Sequence, residues 1–290
     1  MELNVTKILE DIANKGYSTV DSFFDQDSVK TILNDTTKNK FKINENASSG
    51  IFYETQYYFM HLFAESQNCY DFITSKFVIN LCDQYLGNKY RLHASRYYET
   101  MSGHNMKWHV DNKRGKELID MKGLIFIVYL CNVDEGEFQY IEGSHKFNNN
   151  YNSSDIEDEL VNSKYKHLVR SLKMPSGSLI IYDARGIHRA KRFDNKNYAR
   201  KSLYFQVDAI DKGAEKILVN TKFLKNVNPD IEKILGFGEI NENSTYPKTN
   251  LNRYPINLKV LTSILKWFIY RSSRFILRTE PRNIIKIFKK

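Results

Sequence analysis

The sequence predicts a mainly β protein: a closed or sandwiched sheet with flanking helices. Three observations lead there. Short alternating or continuous apolar runs recur between Lys89 and Asp208, at the spacing of strands. Helical periodicity is confined to the two flanks. The one long polar excursion, 146–165, sits between strand-like segments, as an insertion at the mouth of a barrel would, where it can serve as a lid. A chain of 290 residues with 41% hydrophobic and 13% aromatic content can bury a sizeable core, which excludes a disordered chain.

Taken in order, the chain opens with a helix up to Asn14, stopped by Gly16, and an extended Tyr17–Val20. Asp25 or Asp27 caps a helix carrying Val29, Ile32 and Leu33, and 39–50 is a loop. One buried helix is expected over Ser66–Leu86, ending at Gly87, so that 1–88 forms a helical layer behind the sheet. Lys89–Thr100 alternates as a strand, with Leu92, Ala94, Arg96 and Tyr98 on one side. Leu124–Cys131 is continuously apolar, the mark of a strand covered on both faces. Asp134–Gly136 is a turn, and Phe138–Ile141 a strand leading to Gly143-Ser-His145. A short helix is expected at Asp155–Val161, and Val169–Met174, Leu179–Tyr182, Arg189–Phe193 and Lys201–Asp208 complete the strands.

The chemistry is expected at Lys107-Trp-His-Val-Asp-Asn112. On a strand, His109 and Asp111 point to the same side, so an imidazole and a carboxylate can reach one metal ion. An HxD pair alone is weak evidence, because the pattern arises often by chance. His188 is the candidate third ligand, after an apolar strand and an Asp183-Ala-Arg-Gly186 turn. Two His and one Asp form the facial triad that leaves three positions of Fe(II) open. Arg200 lies twelve residues beyond His188 and can hold the distal carboxylate of 2-oxoglutarate. Ser202 shares its face by parity, whereas Lys201 points the other way. Tyr98 shares the parity of a pocket residue and either touches the co-substrate or packs in the core. His145 is read as structural, His61, His93, His104 and His167 as surface or satisfied, and Trp108 as a packing anchor. Arg185 and Arg189 either reach an anionic substrate or are solvated.

These blocks together resemble the phytanoyl-CoA dioxygenase family. The resemblance rests on Trp108-His-Val-Asp111, Glu135–Lys146, Pro175–Asp183, and His188 with Arg200, and it runs from about Ile12 to Asp208. It implies a double-stranded β-helix (jelly-roll, cupin-like) core. It also implies Fe(II) held by His109, Asp111 and His188, and 2-oxoglutarate and O2 as co-substrates with Arg200 as the co-substrate arginine. A carboxylate at 111, where halogenating relatives need a small residue, favours hydroxylation. Glu142 stands where the family's block usually carries a proline. The expected reaction is hydroxylation of an unactivated C–H in a small-molecule, lipid or lipid-linked sugar substrate. The competing reading is a non-catalytic cupin-like module that binds metal or sugar.

The expected organisation is a single oxygenase domain over 1–211 (helical support 1–88, jelly-roll core 89–211) and a C-terminal extension over 212–290. Residues 251–290 hold ten Lys and Arg against Glu280 alone, which is the whole of the chain's net charge of +9. Leu258–Arg278 reads as a basic amphipathic helix that lies on an anionic membrane surface through 257–290 or packs on the barrel. Its apolar runs are too short and too often charged to span a bilayer. Nucleic acid is not expected, since no binding module accompanies the charge. Cys69, Cys82 and Cys131, an odd set without CxxC spacing, and the lack of a signal-peptide pattern suit a cytoplasmic protein, with attachment to the inner face of the membrane as one reading.

Overall fold

A computed structural model describes residues 3–38, 51–52, 55–112, 122–147, 156–209, 214 and 217–237, and the isolated positions 265, 268, 269 and 272. The helices are α1 (Val5–Lys15), α2 (Gln26–Thr37), α3 (Leu62–Glu65), α4 (Gln67–Ile73), α5 (Lys76–Leu86), α6 (Asp158–Leu160) and α7 (Pro229–Leu235). The strands are β1 (Tyr17–Val20), β2 (Ile51–Phe52), β3 (Gln56–Phe59), β4 (Tyr90–Met101), β5 (Gly123–Tyr129), β6 (Phe138–Ile141), β7 (Val169–Leu172), β8 (Leu179–Asp183), β9 (His188–Ala190) and β10 (Ala199–Ala209).

Two antiparallel sheets face each other. The larger has the order β1-β8-β5-β10-β4-β3-β2 and the smaller β7-β6-β9. Single bridges, His109 to His188 and Trp108 to Ile156, add the segment around His109 to the edge of the smaller sheet beside β9. The result is the expected jelly roll. The HxD segment is extended but pairs only through these bridges.

Strand patterning explains the layers. On β10, Leu203, Phe205 and Val207 point to the helices; Phe205 stacks on Phe63 at 6.1 Å and meets Phe72 at a tilt, 5.3 Å between ring centres. Arg200, Ser202 and Tyr204 point between the sheets. On β5, Leu124, Phe126 and Val128 join the helix-side core, while Ile125 and Tyr129 pack between the sheets with Phe138, Ile180 and Tyr182. The unbroken apolar run therefore follows from coverage on both faces. A third cluster of Trp108, Val110, Ile141, Ile156 and Ile187 seals the outside of the smaller sheet.

The N-terminal segment differs from a purely helical layer. Gly16, at φ 90°, ends α1 and turns the chain into β1, which pairs with β8 at the sheet edge. Gln56–Phe59 pairs with β4. The helix expected over Ser66–Leu86 is two helices: the chain breaks at Thr74 and restarts where the Ser75 side chain accepts from Val78 N at 3.3 Å. The buried positions of the second piece (Val78, Ile79, Leu81, Cys82) repeat those of the first (Cys69, Tyr70, Phe72, Ile73) nine residues on, about half a turn out of phase, so each piece turns its own apolar face to the core. Asp25, not Asp27, caps α2, accepting from Ser28 N at 2.7 Å. The loop expected at 39–50 lies outside the described residues.

Residues 156–165 dock on the smaller sheet. Asp158 accepts from Trp108 Nε1 at 3.0 Å and from Arg189 at 2.6 Å, and the Arg189 guanidinium lies 4.3 Å from the Trp108 ring centre. The short helix here is α6, continued by a π-turn over Val161–Tyr165. Residues 217–237 lie on the helical side, where Ile234 and Leu235 are buried in the same core as β4. The helix expected at 258–278 falls almost wholly outside the described residues; of it, Leu265, Phe268 and Ile269 are helical and exposed. Among the described residues, no helix is long and apolar enough to cross a membrane.

Candidate metal and co-substrate site

Between the sheets lies a cavity of about 270 Å³, with His109, Asp111 and His188 at one wall and Arg200 and Ser202 lining it too. Backbone pairing sets the first three. His109 N donates to His188 O at 3.0 Å and His188 N to His109 O at 2.9 Å, so the two residues sit directly opposite each other. Their ring centres are 4.3 Å apart. Asp111 N and Asn112 N both donate to Ala184 O at 3.1 Å, which fixes the turn after the HxD segment.

The donor set fits a divalent ion. His109 Nδ1 lies 2.8 Å from Lys107 O and His188 Nδ1 3.0 Å from Gly186 O. A carbonyl only accepts, so each Nδ1 carries a proton and Nε2 is the ring nitrogen left facing the cavity as the atom that could coordinate a metal. His188 Nε2 is 3.1 Å and His109 Nε2 3.9 Å from Asp111 carboxylate oxygens. One donor atom from each of the three residues falls within 4.8 Å of the others. Burial pushes the Asp111 carboxyl up, but His188, His109 and the Tyr182 hydroxyl outweigh it and hold it below the ordinary carboxylate range. Tyr182 Oη donates to Asp111 Oδ2 at 3.1 Å. Burial, then the Asp111 charge, raise the Tyr182 phenol well above its usual value, so it remains a donor.

A buried polar network carries the support outward. Asn112 Nδ2 donates to Asp208 Oδ1 at 2.9 Å, Gln206 Nε2 to Asp208 Oδ2 at 2.9 Å, and Tyr204 Oη to Gln206 Oε1 at 2.8 Å. Gly123 permits this closeness, since a Cβ there would lie 2.2 Å from Asp208 Oδ1.

Arg200 is 7% exposed. Its Nη1 donates to Gly136 O and its Nη2 to Thr100 Oγ1 at 3.4 Å. Its Nε is buried with no protein partner among the described residues, as expected of a guanidinium that completes its bonding with a ligand carboxylate. Ser202 lies opposite Tyr98 on β4 and Tyr129 on β5, and all three line the cavity.

The remaining candidates sort clearly. His145 is buried, with Nε2 3.3 Å from Ala13 O, and so has the structural place expected of it. His61 is buried, not at the surface, and burial lowers its pKa to about 4. His104 Nδ1 lies 2.9 Å from Thr55 Oγ1. Arg185 and Arg189 neither reach the cavity nor stand in solvent: Arg185 is ion-paired with buried Asp183, and Arg189 is held by Gln139 and Asp158. Sequence reasoning missed Tyr129, Tyr182, Tyr204 and Arg96 as cavity residues, although strand parity points to each.

With this geometry in place, comparison with known proteins is informative. The family model for phytanoyl-CoA dioxygenase (PhyH) matches residues 12–202. No curated protein matches the chain in sequence. Among solved structures, HygX from Streptomyces hygroscopicus with nickel and 2-oxoglutarate bound is similar, with a TM-score of 0.58 and 15% identity, over 74% of this chain and 91% of that one. HygX with nickel, 2-oxoglutarate and hygromycin B gives 0.56 and 15%, over 72% and 89%. The iron-bound form gives 0.55 and 14%, over 74% and 90%. At these identities the likeness establishes a shared fold. The family match spans well over half of the chain, so this protein belongs to the phytanoyl-CoA dioxygenase family and is a 2-oxoglutarate-dependent dioxygenase that uses Fe(II) and O2.

Proposed function

We propose that His109, Asp111 and His188 hold the Fe(II), that Arg200 with Ser202 binds the distal carboxylate of 2-oxoglutarate, and that the enzyme hydroxylates an unactivated C–H of a small molecule. The convergence of the three donor residues in the same cavity that Arg200 lines carries this reading. The metal, when bound, supplies oxygen activation coupled to oxidative decarboxylation of 2-oxoglutarate.

The protein's own part is placement. The two Nδ1–H to carbonyl bonds fix both imidazoles in the tautomer that can coordinate. Tyr182 holds the Asp111 carboxylate in one orientation. Arg200, turned inward on β10, orients the co-substrate, and Tyr98, opposite Ser202, borders its space. Phe138 and Ile127 form apolar wall around the reacting centre and limit water.

A small-molecule substrate is supported by the similar structure of HygX that was crystallised with hygromycin B. Fatty acyl, small-metabolite and lipid-linked sugar substrates all remain compatible with the fold. The exposed Leu265, Phe268 and Ile269 favour the membrane-surface reading of the basic tail, which would bring a lipid-linked substrate within reach.

The test is succinate release from 2-oxoglutarate with Fe(II) and ascorbate. Turnover in the wild type and its loss in Asp111→Ala support the assignment. Equal rates in both would overturn it.

A further inference from the structure

Trp108 and Arg189 stand next to the two histidines in the chain, and one carboxylate joins them. Asp158 Oδ1 accepts from Trp108 Nε1 at 3.0 Å and from Arg189 Nη1 at 2.6 Å. The Arg189 guanidinium also lies over the indole, 4.3 Å from its centre, and its Nε donates to Gln139 Oε1 on β6 at 2.9 Å. Alternation along extended chain explains the placement. His109 and His188 face the cavity, so their neighbours face the outside of the smaller sheet. There the segment 156–165 covers them. Ile156 N donates to Trp108 O at 2.8 Å, and Ile156 and Val161 pack with Trp108, Val110 and Ile187. No residue of 156–165 lines the cavity. This part of the polar excursion lies behind the wall that carries the histidines.

Energetics indicate what the contact does. The Asp158 side chain is 61% exposed, and an ion pair that open to water adds little to stability. Its position matters more. Among the described residues, the HxD segment joins the smaller sheet only through isolated bridges, so few ladder bonds keep His109 against His188. Asp158 adds a cross-tie one residue away from each imidazole. Donor atoms meant for one ion must be held closely, and outer groups that hold them tune metal affinity.

We propose that Asp158 is a positioning residue for the metal site: it ties Trp108 to Arg189 and so keeps His109 and His188 at the spacing one ion requires. This rests on the assignment of His109, Asp111 and His188 as ligands. Coupling of this kind is reciprocal. Docking of 156–165 strengthens metal binding, and a bound metal tightens the docking.

The experiment titrates the full-length protein with Co(II), read by visible absorption, and follows amide hydrogen exchange over 156–165 with and without Co(II). Asp158→Ala should weaken Co(II) binding about tenfold, at the lower end for groups that support metal ligands. The melting temperature of the metal-free protein should change little, because the ion pair is exposed. In wild type, Co(II) should slow exchange at Ile156, whose N–H bonds to Trp108 O, about tenfold; in Asp158→Ala the slowing should shrink to about twofold. Arg189→Gln cuts the other end of the tie and is read in the same way, which also decides the matter if Asp158→Ala does not fold. The double variant should lose no more affinity than the weaker-binding single variant.

Co(II) affinity in Asp158→Ala within about twofold of wild type overturns the proposal, whatever the melting temperature does. So does Ile156 exchange in wild type that ignores the metal, or a double variant whose loss is the product of the two single losses. Wild type that binds no Co(II) would instead refute the ligand assignment, a separate result in the same titration.

Discussion

His109 and His188 are paired residue to residue across one antiparallel bridge, each backbone N–H bonded to the other's carbonyl at 3.0 and 2.9 Å. A one-residue slip would turn one imidazole to the opposite face. The register is held from both sides: Ile187 N donates to Ser144 Oγ at 2.7 Å, and Asp111 N and Asn112 N to Ala184 O. The geometry of the proposed metal site is therefore a property of strand pairing and does not depend on long flexible side chains.

Tyr182 provides the first test. Its hydroxyl orients Asp111, and supporting groups of this kind are worth about 10- to 100-fold in metal affinity. Tyr182→Phe should weaken Co(II) binding, followed by optical titration, by about tenfold with little change in melting temperature. An unchanged affinity would show that the hydroxyl does not position the carboxylate.

Arg200 provides the second. Hydrogen bonds to charged groups are worth about 1.5–3 kcal/mol, or about 10- to 100-fold. Arg200→Met should raise KM for 2-oxoglutarate by that factor and leave Co(II) affinity near the wild-type value. A fall in metal affinity instead would place Arg200 in a structural role.

Asn112 links the His109–Asp111 segment to β10. Asn112→Ala removes a bond to Asp208, which is 4% exposed, and should cost about 1–3 kcal/mol of stability. Denaturant unfolding of the metal-free protein checks this. A loss below about 0.5 kcal/mol would mean that the remaining partners of Asp208, Gln206 and His93 among them, satisfy it without Asn112.

Acid sensitivity follows from two histidines. Burial lowers His61 to about 4; burial, with a smaller contribution from Arg200, lowers His104 to about 4. The unfolded chain binds protons near pH 6.5 that the native state refuses until about pH 4. Their contribution is thus complete above about pH 6.5 and is lost as pH falls towards 4. The melting temperature of the chelated protein should drop across that window, and His61→Leu should flatten the slope. A melting temperature independent of pH between about 6.5 and 4.5 would contradict this.

Much of this was legible in the sequence, for reasons of periodicity. The parity of Arg200 and Ser202 and the continuous run of β5 follow directly from strand geometry. The convergence of His109, Asp111 and His188 could be anticipated because the chemistry proposed for them restricts residue types. Tyr129, Tyr182 and Tyr204 were not singled out, because a tyrosine on a strand reads as core until its hydroxyl partner is known, and that partner lies up to 71 positions away, as for Tyr182 and Asp111. The counter-ions of Arg185 and Arg189 were hidden too: an acid two residues back in a turn and another 31 residues away look no different from solvated charges. Gln56–Phe59 is too short to declare itself a strand without β4 beside it.

The central claim is that three side chains hold one iron and leave room for a chelating keto acid. Anaerobic titration of the full-length protein with Fe(II) and 2-oxoglutarate tests it most directly, read by the visible charge-transfer absorption of the chelate. The expected result is saturation at one Fe(II) per chain, lost in each of His109→Ala, Asp111→Ala and His188→Ala while the far-ultraviolet circular dichroism is unchanged. Undiminished absorption in any one of the three folded variants would contradict the account.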